Sequence, residues 1–459
     1  MATPIASCGA DWRVLARLFR AARATAPATL PAMFSALLDR FRRKPAAPRS
    51  AAAPPAAPAP APASSFTGAG AQRPLVSAQG HLGAFEFQLA PALLSRLRGP
   101  AAQACTGNLL GAMRLCCSQG LGALAALPAS WLAPAALDAH FAPGMHLLLR
   151  ADALFEDAAA TCLLVSRLRR AGVRVGWAAQ STPPMPKAAG RPDFMPLAPP
   201  AEPSVAAWQH AAAAAAQRWP GVPLLLLDLP SVDALEATLG HGVLFAACTL
   251  GGCVEPTRAQ ALPPQAQRAL QLLNRLLNDE DHAAVVDAIK ADAALSLRLL
   301  QFLNSAGALP GRELNSIEQA VMLLGRDALY RWVAQLLVRM SPPRPAAQAL
   351  QATALARARL FEQLARAAQA PNPGTLYLLG LATMLPLLLQ CNIDTAVDAL
   401  RLPQSAAQAL RAQGGHWLPY LQLLQALEAA NLPVIEALAR PFGGSDHVLA
   451  SWAEAWRKV

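Results

Sequence analysis

The sequence predicts an α/β half followed by an all-α half, with an Ala/Pro-rich leading region ahead of both. Between Pro74 and Arg258 apolar runs of strand length alternate with helical stretches, and from Pro264 onward the hydrophobic period is helical throughout. Ahead of these, Ala46 to Ala63 is almost wholly Ala and Pro, with Arg49 and Ser50 the exceptions. Alternating β and α elements imply a parallel sheet, because the connection between parallel strands is a crossover helix. An unbroken helical pattern builds a bundle instead.

The leading region, residues 1–73, is expected to be disordered linker preceded by basic amphipathic segments. An Ala/Pro tract has no large side chains to bury and favours extended polyproline-II conformations. Before it, Trp12, Leu15, Leu18 and Phe19 fall on one helical face and Arg13, Arg17 and Arg20 on another; Met33 to Lys44 repeats the pattern. A basic amphipathic helix can lie on an anionic membrane, dock in a partner's groove or serve as a targeting peptide. A poorly ordered tail or a misplaced start codon explains the same residues. Membrane-surface contact through residues 12–44 is one expectation.

The chain has 459 residues, of which 54% are apolar and 15% charged, so the rest of it can bury a sizeable core. Its formal charge of +11 does not point to nucleic acid. Residues 1–50 hold nine Arg/Lys against Asp11 and Asp39, a net +7, which leaves +4 for everything that follows. That is an ordinary solvated surface, with no concentrated phosphate-binding stripe. The eight cysteines form no CxxC pair and no zinc-ligand spacing with histidine, and are read as reduced, mostly buried thiols. The N-terminus shows no secretory apolar run, so a cytoplasmic protein is expected.

In the α/β half, residues 74–258, the expected strands are Met145–Leu149, Val173–Trp177, Pro223–Leu227 and Val243–Ala247. Helices are expected over Asp152–Ala171, Val205–Trp219 and Val232–Leu239, and residues 180–205 read as a loop. In the helical half, residues 259–459, three stripes recur at spacings of three and four: Leu270/Leu273/Leu277, Val285/Val286/Ile289 and Leu295/Leu299/Phe302/Leu303. Ser316 with Gln319 makes a capping box, Gly325 closes that helix, and Asp327 caps another that places Leu329, Trp332, Val333, Leu336 and Met340 on one face. Ala367 to Ile393 is uncharged, but Pro371, Asn372, Pro373, Gly374 and Pro386 break it, so buried core helices are expected there and not a membrane span.

The stretches DAALSLRLLQFLNSAG (292–307) and LNSIEQAVMLLGRDALYRWV (314–333) resemble the HDOD domain, a helical relative of the HD-type metal phosphohydrolases. The resemblance covers about 264–440. An HD enzyme needs His and Asp ligands on a metal that activates water. The adjacent His–Asp pair of metal-bearing relatives falls where this chain reads GLATMLPLLL (380–389), and Ala382, Thr383 and Met384 are not ligands. The lone His416, on a turn after two glycines, reads as a loop residue.

Less specifically, the preceding half resembles an EAL domain, which hydrolyses cyclic di-GMP with carboxylates that hold two metals at strand ends. The signature strand aligns with HLLLRADAL (146–154), where Leu148, Leu149 and Arg150 replace the acid. The strand expected to end in two aspartates reads VGWAAQS, with Ala178, Ala179 and Gln180 at the ligand positions. Glu86 and Asp228 are acids near family positions, but two isolated acids do not rebuild the cage. The span is also shorter than the roughly 200–250 residues of a complete (β/α)8 barrel, so barrel elements are expected to be missing.

The expected function is therefore non-catalytic signalling through protein–protein contacts of the HDOD domain, with an inactive EAL-like half as scaffold or sensor. No catalytic, metal or cofactor residue is assigned. Asn304, Ser305, Arg326 and Arg331 are the candidate ligand or partner contacts, although Asn and Ser at helix ends commonly act as caps. A cyclic di-GMP-binding effector, or residual phosphodiesterase activity, is the alternative; nucleic acid is not an expected partner.

Overall fold

A computed structural model of the chain describes residues 71–457 apart from positions 90, 249, 251–261, 305–315, 371–372, 401, 412–413 and 430. The basic segments of residues 12–44, the Ala/Pro tract and Ser305 lie outside the described residues.

The α/β half is an eight-stranded sheet curled into a near-barrel. Its strands are β1 (Ala71–Ser77), β2 (Leu82–Gln88), β3 (Gly122–Pro128), β4 (Met145–Arg150), β5 (Arg174–Trp177), β6 (Met195–Pro196), β7 (Leu224–Leu229) and β8 (Val243–Cys248), in the order β5-β4-β3-β2-β1-β8-β7-β6. β1 is antiparallel to both of its neighbours and the other ladders are parallel. A parallel bridge between Gly176 and Phe194 draws the two outer edges together. Only glycine fits at that seam, since a Cβ on Gly176 would come within 2.6 Å of the Phe194 ring.

Around the sheet lie α1 (Pro91–Arg96), α2 (Gly99–Ser118), α3 (Ala129–Leu132), α4 (Ala158–Arg170), α5 (Val205–Arg218) and α6 (Val232–Thr238). Asp157, Ser204 and Ser231 cap α4, α5 and α6 by accepting the backbone N–H three residues on.

All four expected strands are present, and the sheet adds β1, β2, β3 and the two-residue β6. β6 lies inside the stretch expected to be loop. The expectation of missing barrel elements holds for helices and not for strands. Eight strands are present, whereas helices are absent in the β1–β2 hairpin and between β5 and β6, where the described chain has only a 3-10 turn at Lys187–Ala189. The sheet also begins at Ala71, inside the region assigned to linker.

Alternation along the strands separates two apolar layers. Leu75, Ala84, Leu124, Phe194, Leu225, Phe245 and Ala247 plug the interior of the near-barrel. Phe85, Phe87, Leu127, Leu147, Val175 and their neighbours face outward into a larger core that continues through the helical half.

The helical half consists of α7 (Pro264–Leu277), α8 (His282–Lys290), α9 (Ala293–Asn304), α10 (Ile317–Val338), α11 (Ala347–Ala367), α12 (Pro373–Ala382), α13 (Leu385–Leu389), α14 (Ile393–Leu400), α15 (Gln404–Leu410), α16 (Leu418–Glu428), α17 (Leu432–Leu438) and α18 (Ser445–Arg457). The Ser316 hydroxyl accepts from Gln319 N as the capping box requires, and Gly325, at φ +68°, kinks α10 where the sequence places a helix end. Trp332 is 7% exposed. Phe302 departs from its expected stripe and is 40% exposed at the edge of the core. α12 and α13 are buried, and no helix among the described residues is long and apolar enough to cross a membrane.

The two halves share a seam. Trp452 donates its indole N–H to Gln72 O at 2.9 Å, and the Trp456 ring lies 5.1 Å from that of Phe85. Arg344 grips Glu236 through two nitrogens at 2.7 and 3.0 Å, and Ala346 N donates to the same carboxylate at 2.9 Å. α18, with α11 and α16, lies against β1 and β2, so the helical half covers the sheet where the hairpin supplies no helix of its own.

Candidate functional site

The mouth of the near-barrel is built on the β1–β2 hairpin. Arg73 and Glu86 are direct cross-strand partners, and both point inward because Leu75 and Ala84, two positions away, belong to the interior plug. Arg73 Nε donates to Glu86 Oε2 at 2.8 Å and Nη2 lies 2.7 Å from the same oxygen, while Nη1 donates to Asp228 Oδ1 at 2.5 Å. Gln88 Nε2 adds a further donor to Glu86 Oε2 at 3.0 Å. Asp228 reaches the mouth because its φ of +60° breaks the register of β7 against β8 between Leu226 and Leu229. Arg73 and Glu86 are each 7% exposed. Burial pushes the Arg73 pKa down, but Glu86 and Asp228 outweigh it and hold the guanidinium above its ordinary value.

Glu86 and Asp228 are therefore not isolated, as the sequence reading had them, but joined through one cation. They do not fit a two-metal cage. A hard divalent ion needs several oxygen donors, and here, among the described residues, there are only two acids, each with one oxygen already on Arg73. The other C-terminal strand ends bring Gln88, Pro128, Arg150, Trp177 and Cys248. Leu148 packs against the interior plug, Arg150 is exposed, and Ala178, Ala179 and Gln180 follow β5 on the surface. Among the described residues no group of three or more His, Cys, Asp or Glu gathers where a metal could be held.

A second buried arginine lies beside Thr383, the residue that the resemblance sets against the HD pair. Arg357 pairs in a fork with Glu428, Nε to Oε1 at 2.9 Å and Nη2 to Oε2 at 2.8 Å, and its Nη1 donates to Thr383 Oγ1 at 3.1 Å. Arg357 is 2% exposed and Glu428 8%. Ala382 and Met384 on either side of Thr383 are fully buried. His416 is exposed on its turn, its ring against Trp417.

The candidate contact residues divide. Arg326 and Arg331 line one cleft of about 330 Å³ between α7, α10, α11 and the start of α12, together with Tyr330, Arg366, Thr375 and Tyr377. Asn304 is the last residue of α9 and Ser305 lies outside the described residues. Neither arginine is free. Arg326 donates to Leu276 O and Glu280 O, at 3.1 and 2.5 Å, and pairs with Asp279; Arg331 pairs with Glu362 at 2.5 Å. Arg331 is nonetheless half-exposed, so its pairing with Glu362 leaves part of the guanidinium open to the cleft.

Sequence reasoning missed Arg73 and Arg357. Each carries a faint signal: Arg73 is a charge inside a strand beside Pro74, and Arg357 lies on the stripe formed by Leu350, Ala354, Phe361 and Leu364.

Together these features define a protein in which an α/β near-barrel is fused through a common core to a compact helical domain. Residues 262–407 match the family model of the HDOD domain, and the helical half contains that domain. Among curated proteins, the chain is 30% identical over 164 residues to the uncharacterized protein YuxH of Bacillus subtilis, covering 35% of this chain and 40% of that one. It is 26% identical over 185 residues to the cyclic di-GMP phosphodiesterase CdgJ of Vibrio cholerae, covering 40% and 42%. The matches thus span about two-fifths of each relative. Among solved structures, an HDOD domain protein of unknown function from Geobacter sulfurreducens aligns with a TM-score of 0.30 at 17% identity, over 43% of this chain and 88% of that one.

Proposed function

We propose that this chain is a non-catalytic signalling protein that acts through protein–protein contacts of its HDOD domain, with the near-barrel as an EAL-type domain that has lost its metal cage. The observation that supports this best is the Arg73 guanidinium, which takes up both carboxylates at the barrel mouth. Hydrolysis of a phosphodiester by a metal pair needs those oxygens for the metals. The similarity to CdgJ, a cyclic di-GMP phosphodiesterase by name, supports common descent with such enzymes. Cys105, Cys116, Cys117 and Cys162 are free thiols, which suits a reducing cytoplasm.

A binding-only reading has one observation in its favour. A cleft of about 440 Å³ at the C-terminal ends of β3 and β4 is lined by Arg98, Ser130, Trp131 and Arg150, a set suited to an anionic, stackable ligand such as cyclic di-GMP.

The test is an assay of purified full-length protein with cyclic di-GMP and Mg²⁺ or Mn²⁺. The expected result is no turnover above a buffer blank, with calorimetry on the same samples reporting binding or its absence. Turnover that EDTA abolishes overturns the proposal. A pull-down from native cells, with and without residues 1–63, identifies the partner, and liposome binding lost with those residues assigns them to a membrane surface.

A further inference from the structure

We propose that the HDOD cleft between α7, α10, α11 and the start of α12 is a binding site for a small phosphate monoester. Three guanidiniums line it, from Arg326, Arg331 and Arg366, with Tyr330, Thr375 and Tyr377. Arg331 and Arg366 both donate to one oxygen, Glu362 Oε1, at 2.5 and 2.9 Å. Each guanidinium carries five N–H donors, so one carboxylate oxygen leaves most of their capacity unused.

A second observation shows the same shortage of acceptors. Arg359, one turn before Glu362 on α11, keeps Nη1 buried with no hydrogen-bond partner. Burial holds its guanidinium below the ordinary value, with Tyr377 and Glu362 opposing that shift. The cleft wall thus carries three guanidiniums against two acids, Glu362 and the exposed Asp327, while Asp279 pairs with Arg326 beside it.

The first turn of α12 completes the site. Pro373, Gly374 and Thr375 form part of the wall, and the first N–H groups of a helix have no intrahelical partner and favour negative charge. The Tyr330 hydroxyl donates to Gly374 O at 2.9 Å and so anchors this turn against α10.

A dianion suits this arrangement better than a monoanion. Paired guanidinium forks match the several oxygens of a terminal phosphate, whereas a phosphodiester carries one charge per group. The volume is at the lower end of the ~300–1,000 Å³ typical of small-molecule sites, which sets the size at about that of a mononucleotide. The inference is independent of the reading of the near-barrel.

Calorimetry on the full chain at low and moderate salt, with inorganic phosphate, GMP, guanosine and cyclic di-GMP as probes, tests it. GMP is expected to bind saturably at one per chain and more weakly as salt rises. Phosphate should compete with it, and guanosine should not bind. Arg366→Gln and Arg331→Gln should each weaken GMP by about tenfold or more, as the loss of a charge-assisted pair implies, while Arg339→Gln, at the exposed C-cap of α10, should leave it unchanged. Should Arg331→Gln fail to fold, the exposed Arg366 decides alone. The proposal is overturned if neither phosphate nor GMP binds saturably, if guanosine binds as well as GMP, if only cyclic di-GMP binds, or if Arg366→Gln binds GMP like the wild type.

Discussion

Trp456 in α18 meets Phe85 in β2 edge to face, with ring centroids 5.1 Å apart and planes at 69°. The contact joins the last described helix to the second strand, and Trp452 lies beside it at 5.3 Å from Trp456. Trp456→Ala should cost about 3–5 kcal/mol, typical of a buried Trp truncation. It should lower the stability of both halves, because their core is continuous. Urea unfolding followed by hydrogen exchange on strand and helix peptides checks this; an α/β half that keeps its wild-type midpoint would show that the halves fold separately.

Arg357 and Glu428 form an isolated buried ion pair, so removing one partner strands the other. Arg357→Met should cost about 3–5 kcal/mol, while Arg357→Met with Glu428→Leu should recover most of that loss, since apolar replacement of both partners is often neutral. Denaturation midpoints of the two singles and the double decide the matter. A double variant no better than the worse single would mean that the fork with Thr383 is itself needed for the helices to dock.

His146 stands inside the near-barrel, its ring 5.8 Å from Phe194 and 5.1 Å from Phe245. Burial, and after it the charge of Arg174, pull its pKa down to about 4. A depressed folded-state pKa means that the stability it reflects is present above the unfolded value of about 6.5 and is lost as pH falls towards 4. Between those limits the wild type should lose stability faster than His146→Leu, whose site binds no proton. Parallel melting curves for the two proteins across that window would sink this assignment.

Trp332 and Arg331 are neighbours in sequence with opposite expected effects. Trp332→Ala should lose about 3–5 kcal/mol or fail to stay in solution, because the indole is buried on the inner face of α10. Arg331→Ala removes one of two arginines on Glu362 and should fold, with a change within about 1 kcal/mol for a half-exposed pair. Their urea midpoints separate the two.

The elements legible in the sequence are those whose own residues decide them. β4, β5, β7 and β8 are apolar runs bounded by breakers, and α10 announces its start with Ser316 and its kink with Gly325. β1 and β6 do not. Ala71–Ser77 holds Arg73 and Pro74, and Met195–Pro196 is two residues long, so both are strands only because neighbouring strands pair with them. The site was less legible still. Arg73 is 155 positions from Asp228 and Arg357 is 71 from Glu428, and a buried arginine is spelled like a solvated one until its partner is placed.

The cover that α18 gives the β1–β2 hairpin sets a schedule for synthesis. At about 5–20 residues per second, a ribosome that has just made Phe85 needs roughly 20–75 s more to reach Trp456. Throughout that interval the outer face of the first hairpin, with Phe85 and Phe87, is without the helix that shields it. The nascent chain therefore presents a greasy strand pair to chaperones and to other unfinished copies of itself until its last described turns emerge.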